Sequence, residues 1–249
     1  MRPAAAVTVA VPCLNQGRYL EAALSSIFEQ SLPVEVYVAD AGSTDGSVEI
    51  IRRWEPRLLG WRSRPDRGQA AAINEGIAHG TAPFVCWLNS DDLFLPGGLH
   101  RLHAPLASTS APMAYGRVWN HFEKDGRRTE VLVRPFSERW MAQLNIVSQP
   151  GTLIRRSSWE AVGGLDESLR MAMDYDLWWK LYRRFGAPAF VDGFVAVNRE
   201  HGATKTNTQR RLHYREAMAV VRKHYGRVPL KWWIAQPYAV WYRSLFPGR

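Results

Sequence analysis

One stretch constrains this chain more than any other: an apolar run that stops abruptly at two adjacent carboxylates. Val85-Cys86-Trp87-Leu88 is long enough for one buried strand and is followed by Asn89-Ser90-Asp91-Asp92. β-Branched and aromatic residues suit a strand covered on both faces. In an open α/β sheet, ligands bind at the carboxyl ends of the strands, which is where Asp91 and Asp92 fall. Neighbouring side chains on an extended backbone point opposite ways, so the two acids are expected to have different tasks. One would hold a divalent cation and the other a ligand hydroxyl. Mg²⁺ and Mn²⁺ commonly take only one or two protein carboxylates, with phosphate oxygens and water filling the octahedron. A solvated turn is the plainer alternative, because Asn-Ser-Asp-Asp is good turn chemistry anywhere.

The same alternation runs through the first hundred residues. Val7 to Val11 reads as a strand closed by Pro12, and Leu20, Leu24 and Ile27 then recur at helical spacing. Val34 to Ala39 is a second strand, ending at Asp40. The loop Ala41-Gly42-Ser43-Thr44-Asp45-Gly46 leads into a helix with Val48, Ile51 and Trp54, a short strand lies near Gly60 to Ser63, and Gly68 to His79 is helical. Strand and helix alternating over short links imply a doubly wound sheet. The second half is less regular. Met113 to Phe122 and Val131 to Arg134 suggest a hairpin around Asp125-Gly126. Ser137 to Leu144, Ser157 to Val162 and Asp174 to Phe185 suggest helices, and Ala189 to Val197 a strand. From Thr208, Tyr214, Met218, Val221 and Tyr225 repeat at helical spacing.

Asp40 and the Asp91-Asp92 pair end two strands of one sheet, which would set three carboxylates around one crevice. A carboxylate at Asp40 can accept the ring N–H of uracil or thymine. The glycines of Gly42-Ser43-Thr44-Asp45-Gly46 match neither the dinucleotide nor the P-loop pattern, so a nicotinamide dehydrogenase and a P-loop ATPase are disfavoured.

The ordered series then becomes recognisable. Val9-Ala10-Val11-Pro12-Cys13-Leu14-Asn15, Ala39-Asp40-Ala41-Gly42-Ser43-Thr44-Asp45-Gly46-Ser47, Gly68-Gln69-Ala70-Ala71-Ala72-Ile73-Asn74-Glu75-Gly76 and Trp87-Leu88-Asn89-Ser90-Asp91-Asp92 resemble glycosyltransferase family 2. Gln149-Pro150-Gly151-Thr152, Gly163-Gly164-Leu165-Asp166-Glu167 and Met173-Asp174-Tyr175-Asp176-Leu177-Trp178 follow in the family's order. The resemblance implies an α/β fold of GT-A type: a doubly wound, mostly parallel sheet with helices on both faces. A basic, aromatic C-terminal helical tail would be added to it. It further implies a nucleotide-sugar-binding half over 1–100, an acceptor-binding half over 101–207 and a tail over 208–249. Pro12 and Asn15 would line the nucleotide pocket, with Asp40 on the base and Asp91 on the ribose. Asp92 would ligate Mn²⁺ or Mg²⁺ on the donor diphosphate, with His201 as a further ligand from the loop after the last strand. Asp174 matches the family's catalytic base, which makes the reaction inverting; Asp176 and Lys205 would support it. Three positions depart from the family pattern: Ala41, Ala71 and Asn89 stand where many members have Asp.

The implied activity is metal-assisted transfer of a sugar from a nucleotide-diphospho-sugar, UDP or dTDP favoured, to a hydroxyl of a glycan or lipid-linked acceptor. The rival on the same fold is a non-catalytic nucleotide-sugar-binding or scaffold protein, against which the intact Asp91, Asp92 and Asp174 argue.

Charge adds a partner. Residues 1–198 carry 21 Lys or Arg and 21 Asp or Glu, whereas residues 199–249 carry 11 basic residues against Glu200 and Glu216, which is the whole net charge of +9. Such asymmetry suggests a polyanionic surface. Between Val228 and Phe246 stand Trp232, Trp233, Tyr238, Trp241, Tyr242 and Phe246, flanked by Lys231 and Arg243, a composition suited to an anionic membrane interface. No nucleic-acid-reading element accompanies the charge. With no leader, no long apolar run and two buried-type thiols, Cys13 and Cys86, the expectation is a cytoplasmic protein, peripheral at the inner face of the membrane.

Overall fold

A computed structural model describes residues 4–202, 204–236 and 240. The first half alternates strand and helix: β1 (Val7–Cys13), α1 (Gly17–Phe28), β2 (Val34–Asp40), α2 (Ser47–Trp54), β3 (Gly60–Ser63), α3 (Gln69–His79) and β4 (Phe84–Trp87). Then follow β5 (Leu93–Phe94), α4 (Gly98–Ser108), β6 (Met113–Phe122), β7 (Arg128–Glu130), α5 (Glu138–Gln143), β8 (Thr152–Arg155), α6 (Arg156–Ala161), α7 (Met173–Phe185) and β9 (Ala189–Glu200). Short α8 (Lys205–Thr208), then α9 (Arg210–Tyr225) and α10 (Leu230–Gln236), complete the described chain. The strands form one sheet in the order β3-β2-β1-β4-β8-β6-β9-β5, with β7 on β6.

The register explains where a ligand can sit. β1, β2, β3 and β4 are mutually parallel, so their carboxyl ends share one edge. Cys13 lies opposite Asp40, and Asp40 opposite Ser63. Trp87 lies opposite Ala10, so β4 ends first and leaves Asn89 to Asp92 free to turn across that edge. β1 runs on through Pro12, which pairs only with Ala39 of β2 because β4 has already stopped. β5, directly after Asp92, pairs with Ala196 and Val197, and thereby brings the end of β9 to the same edge. The expected hairpin forms around Gly126, with its second strand at 128–130 rather than 131–134.

Apolar side chains fill both faces of the sheet. Leu20, Leu24 and Ile27 of α1, Ile51 of α2 and Leu99, Leu102 and Leu106 of α4 bury one face. Ile73 and Ile77 of α3, Trp159 of α6, Leu177, Trp178 and Leu181 of α7 and Val220 and Val221 of α9 form the other cluster. α3 lies close enough on β1 that a side chain at Gly76 would bring its Cβ within 2.8 Å of the Ala10 Cβ. α9 belongs to the same core as α7, so what reads as a tail is in its first half a wall of the domain. Among the described residues no helix is long and apolar enough to cross a membrane.

Candidate active site

At the strand ends two loops are buttoned together. Asn15 is the single non-glycine residue with positive φ (52°) among those described, a conformation its short amide tolerates. Its backbone N–H donates to the Ser43 hydroxyl at 2.8 Å, and its side-chain oxygen accepts from Thr44 N at 2.9 Å. Asp45 accepts from Gly17 N at 2.8 Å. Pro12 is buried inside β1, whereas Asn15 stands exposed at the mouth.

The Asp40 carboxylate is fully buried and accepts from Gly42 N at 3.0 Å, Ser43 N at 2.9 Å, the Ser63 hydroxyl at 2.6 Å and the Ser43 hydroxyl. Burial would raise its pKa, but these donors outweigh it and hold the carboxyl below the usual range. Asp40 therefore organises the loop. Sequence alone does not reveal this, because an acid starting a turn and an acid facing a ligand look alike.

The paired acids differ in burial and partners. Asp92 is 1% exposed, with Oδ1 accepting from Arg199 N at 3.0 Å and Oδ2 from Asn89 Nδ2 at 3.1 Å. Burial, and then the neighbouring Asp91, push its pKa well above the usual carboxylate range. Asp91 is the open member: its side chain is 20% exposed and its Oδ2 lies 3.0 Å from His201 Nε2. Tyr19 stacks on the His201 ring at 4.9 Å and donates its hydroxyl to Glu123 at 2.7 Å, which fixes the imidazole from behind.

Among the described residues no three His, Cys, Asp or Glu side chains gather as a closed metal cage. An oxygen and an imidazole nitrogen 3.0 Å apart nevertheless suit two adjacent positions of an octahedral cation. Such positions lie about 3 Å apart when each bond is about 2.1 Å. The rest of that shell would come from a diphosphate and water, as is usual for these ions. The donor set at Asp91 and His201 thus fits Mn²⁺ or Mg²⁺ better than the enclosed Asp92 does.

A chain of amides connects the neighbouring Asp92 to the far wall. Lys205 Nζ donates to Gln69 Oε1 at 2.7 Å, and Gln69 Nε2 donates to Asn89 Oδ1, also at 2.7 Å. Asn89 Nδ2 donates to both Asp92 and Gln149 Oε1, the latter at 3.1 Å, and Gln149 Nε2 donates to Trp87 O at 2.8 Å. Four residues before Gln149, Asn145 Nδ2 lies 3.5 Å from Asp174 Oδ2. The Trp87 and Trp178 rings, one just before the acid pair and the other just after Asp174, stack at 5.8 Å. These links bring the α7 N-terminus to the strand ends.

Asp174 accepts from Tyr175 N at 2.7 Å. Burial pushes its carboxyl up to about 6, and the Tyr175 N–H and the Asn145 amide counter only part of the rise. Asp176, two residues on, points elsewhere. Fully buried, it accepts from Lys223 Nζ at 2.9 Å and His224 Nε2 at 2.8 Å on α9. Burial alone would raise it, yet those two partners hold it at about 2. It is an anchor between helices. Asn145, Gln149 and Tyr19 are the site's unforeseen members. Gln149 lay inside a recognised motif, while Asn145 and Tyr19 carried no signal beyond being polar or aromatic.

The Gly163-to-Glu167 motif docks on α3 rather than on the pocket. Asn74 Nδ2 donates to Leu165 O and Leu165 N donates back to Asn74 Oδ1, each at 3.0 Å. Two motifs far apart in sequence are one structural joint.

This architecture is that of known proteins. The fold superposes on Staphylococcus aureus TarS in complex with UDP-GlcNAc with a TM-score of 0.71 at 18% identity, covering 88% of this chain and 66% of that one. A mannosyltransferase from Pyrobaculum calidifontis, in complex with GDP-Man and Mn²⁺, gives a TM-score of 0.66 at 20% identity, over 99% of this chain and 73% of that one. In sequence, an uncharacterized glycosyltransferase of Rickettsia typhi is 25% identical over 215 residues, 81% of this chain and 66% of its own length. The succinoglycan biosynthesis protein ExoU of Rhizobium meliloti is 27% identical over 234 residues, 83% of this chain and 67% of its own. The chain thus spans about two thirds of these relatives. Residues 8–162 match the family described as Glycosyl transferase family 2, and with that match, over more than half its length, the chain belongs to glycosyl transferase family 2 and has the GT-A fold.

Proposed function

We propose that this protein is an inverting glycosyltransferase that takes its sugar from a nucleotide-diphospho-sugar and uses Asp174 as general base. One observation carries the reading: Asp91, paired with His201, adjoins Asp92, and Asn89 links Asp92 to Gln149 of the 145–149 segment, whose Asn145 lies 3.5 Å from a carboxyl pushed up to about 6. Asp91 and His201, rather than Asp92, hold the divalent cation; Asp92 holds the Arg199 backbone and so the approach of His201. When bound, Mn²⁺ or Mg²⁺ would offset the negative charge of the departing diphosphate. Lys205, tethered by Gln69, adds a positive charge on the same side. Asp174 accepts the proton of the acceptor hydroxyl as that oxygen attacks the anomeric carbon. The new glycosidic bond forms as the sugar–diphosphate bond breaks on the opposite face, so the anomeric configuration inverts. A base with a pKa near working pH typically contributes about 10²–10⁴ in rate.

The donor favoured is a UDP- or dTDP-sugar, with Asp40 of β2, which also orders its own loop, as the group that would meet the base. The acceptor we favour is a glycan or lipid-linked hydroxyl, met at an anionic membrane surface through the C-terminal segment.

The test is a panel of nucleotide-sugars scored by thermal shift with and without Mn²⁺, followed by NMR of the product. Ligand bound to the native state raises its stability. A donor-specific, Mn²⁺-dependent shift with an inverted product is expected. A shift without turnover on any acceptor would favour the scaffold reading, and a product of retained configuration would reject Asp174 as the base of a single displacement.

A further inference from the structure

We infer that Glu216, on α9, is a positioning residue for Asp174, acting through the backbone that opens α7. The first N–H groups of any helix lack partners within it. The cap residue of α7, Ala172, has no side chain to supply one, and Asp174 takes only the Tyr175 N–H. The missing acceptor comes from another helix. Glu216 Oε2 accepts from Met171 N at 2.7 Å, Ala172 N at 3.0 Å and Arg170 N at 3.1 Å, and Oε1 also accepts from Arg170 N at 3.2 Å. Three successive backbone donors converge on one carboxylate, which sits where the helix dipole favours negative charge. Asp174 is the second residue of that helix.

Further along α9, the first turn of α7 is fixed in the opposite sense. There α7 supplies the acid, Asp176, and α9 supplies Lys223 and His224. Between the two joints Ala217, Met218, Val220 and Val221 of α9 lie buried in the core that also holds Leu177, Trp178 and Leu181. α7 as a whole is therefore secured by packing and by Asp176. Glu216 adds the placement of residues 170–172, which lead into its first turn, and the Asp174 carboxylate two residues on follows them.

The inference rests on Asp174 being the general base, and a double-mutant cycle separates the two claims. Glu216→Ala and Glu216→Gln are each made in the wild-type and the Asp174→Asn backgrounds, and kcat, donor affinity by calorimetry and amide hydrogen exchange are measured. Glu216→Ala should lower kcat by about 10-fold or more while donor affinity stays within about 2-fold, because the interaction is spent on the reacting geometry. Glu216→Gln, whose amide oxygen still accepts, should recover part of that loss. In the Asp174→Asn background Glu216→Ala should cost less than about 2-fold further, since residues that act through one another are non-additive. Faster exchange at Met171 and Ala172, with the rest of α7 still protected, completes the expected pattern, and in Glu216→Gln it is readable even if Glu216→Ala fails to fold. Equal losses in both backgrounds would overturn the inference and leave Glu216 as support for the fold. Full kcat in Asp174→Asn alone would remove the base itself, and the inference with it.

Discussion

Asp174 and Asp176 show how far surroundings, rather than residue type, set what a carboxylate does. Both lie in the first turn of α7, yet burial takes one up to about 6 while Lys223 and His224 take the other, against burial, to about 2. For the proposed base, kcat should rise about 10-fold per pH unit below pH 6 and level off above it, read as a pH–rate profile. Asp174→Asn should abolish that limb and lower kcat by about 10²-fold or more, with donor affinity unchanged. Stability moves the other way. The folded carboxyl binds its proton more tightly than an ordinary aspartate does, so the native state holds extra protons between about pH 4 and 6 and loses stability as pH rises through that window. Asp174→Asn should therefore be the more stable protein at pH 7.5, by roughly 1–3 kcal/mol, with the gap closing below about pH 4 in urea melts. Asn89 makes the complementary point. It stands where many family members have Asp, but here its Nδ2 donates to Asp92 and Gln149 while its Oδ1 accepts from Gln69. A carboxylate cannot donate, so Asn89→Asp should cost about 1–3 kcal/mol in the same melts and leave Gln149 without its donor. Equal stability would mean that the amide chain is dispensable.

Elements were legible where periodicity was strong and silent where the fold imposed structure on short pieces. β1, β2, β4 and the helices between them followed from apolar runs and helical spacing, because each buries a whole face or both. β8 spans only Thr152–Arg155 after Pro-Gly and reads as a loop; it becomes a strand because β4 and β6 offer it two open edges. α4 was blurred by Gly97-Gly98 and by Pro105 within it, although Leu99, Leu102 and Leu106 are all buried at helical spacing. The acid pair and Asp174 were legible as motif positions, but which oxygen faces outward was not, since that depends on partners such as Arg199 N and Ser63 that lie far away in sequence. The α7–α9 joint is of this kind, and it makes a prediction at the level of the helix pair. Asp176 has a folded pKa below its unfolded one, so its contribution is present above about pH 4 and is lost as pH falls toward 2. Asp176→Asn should destabilise the protein by about 2–3 kcal/mol at pH 7, and the difference should shrink toward nothing by pH 2. A constant difference across pH would assign the loss to packing rather than to the ionised Asp176 carboxylate.

The molecule as a whole is electrically lopsided, and the structure divides its basic end into two parts. α9 is built into the core, whereas α10 turns one large apolar side chain inward and three outward. Trp232 is buried and donates its ring N–H to Ala142 O at 2.8 Å, while Leu230, Trp233 and Ile234 are 70%, 49% and 68% exposed. Of the aromatic residues expected at an interface, Trp232 is thus core and Trp233 is surface; Tyr238, Trp241, Tyr242 and Phe246 lie outside the described residues. Cations sit beside the exposed face. Lys231 and Arg134 lie over the Trp140 ring at 6.0 and 4.7 Å, and Arg139 and Arg227 line a groove of about 350 Å³ together with Leu230. Apolar side chains level with basic ones are what an anionic membrane surface rewards, each Lys or Arg adding on the order of 1 kcal/mol. On the proposed function this face would hold the enzyme where lipid-linked acceptors lie. The full chain should co-sediment with vesicles containing anionic lipid and much less with neutral ones. Added salt should weaken the attachment without abolishing it, because the rings and aliphatic side chains are buried at headgroup depth whatever the ionic strength. Replacing Leu230, Trp233 and Ile234 by Ser should leave folding intact, since none of the three is in the core, and should release the protein from those vesicles at moderate salt. If the triple variant and the wild type sediment alike, the face is not the contact; if neither sediments, the basic end serves another polyanion and the membrane reading is wrong.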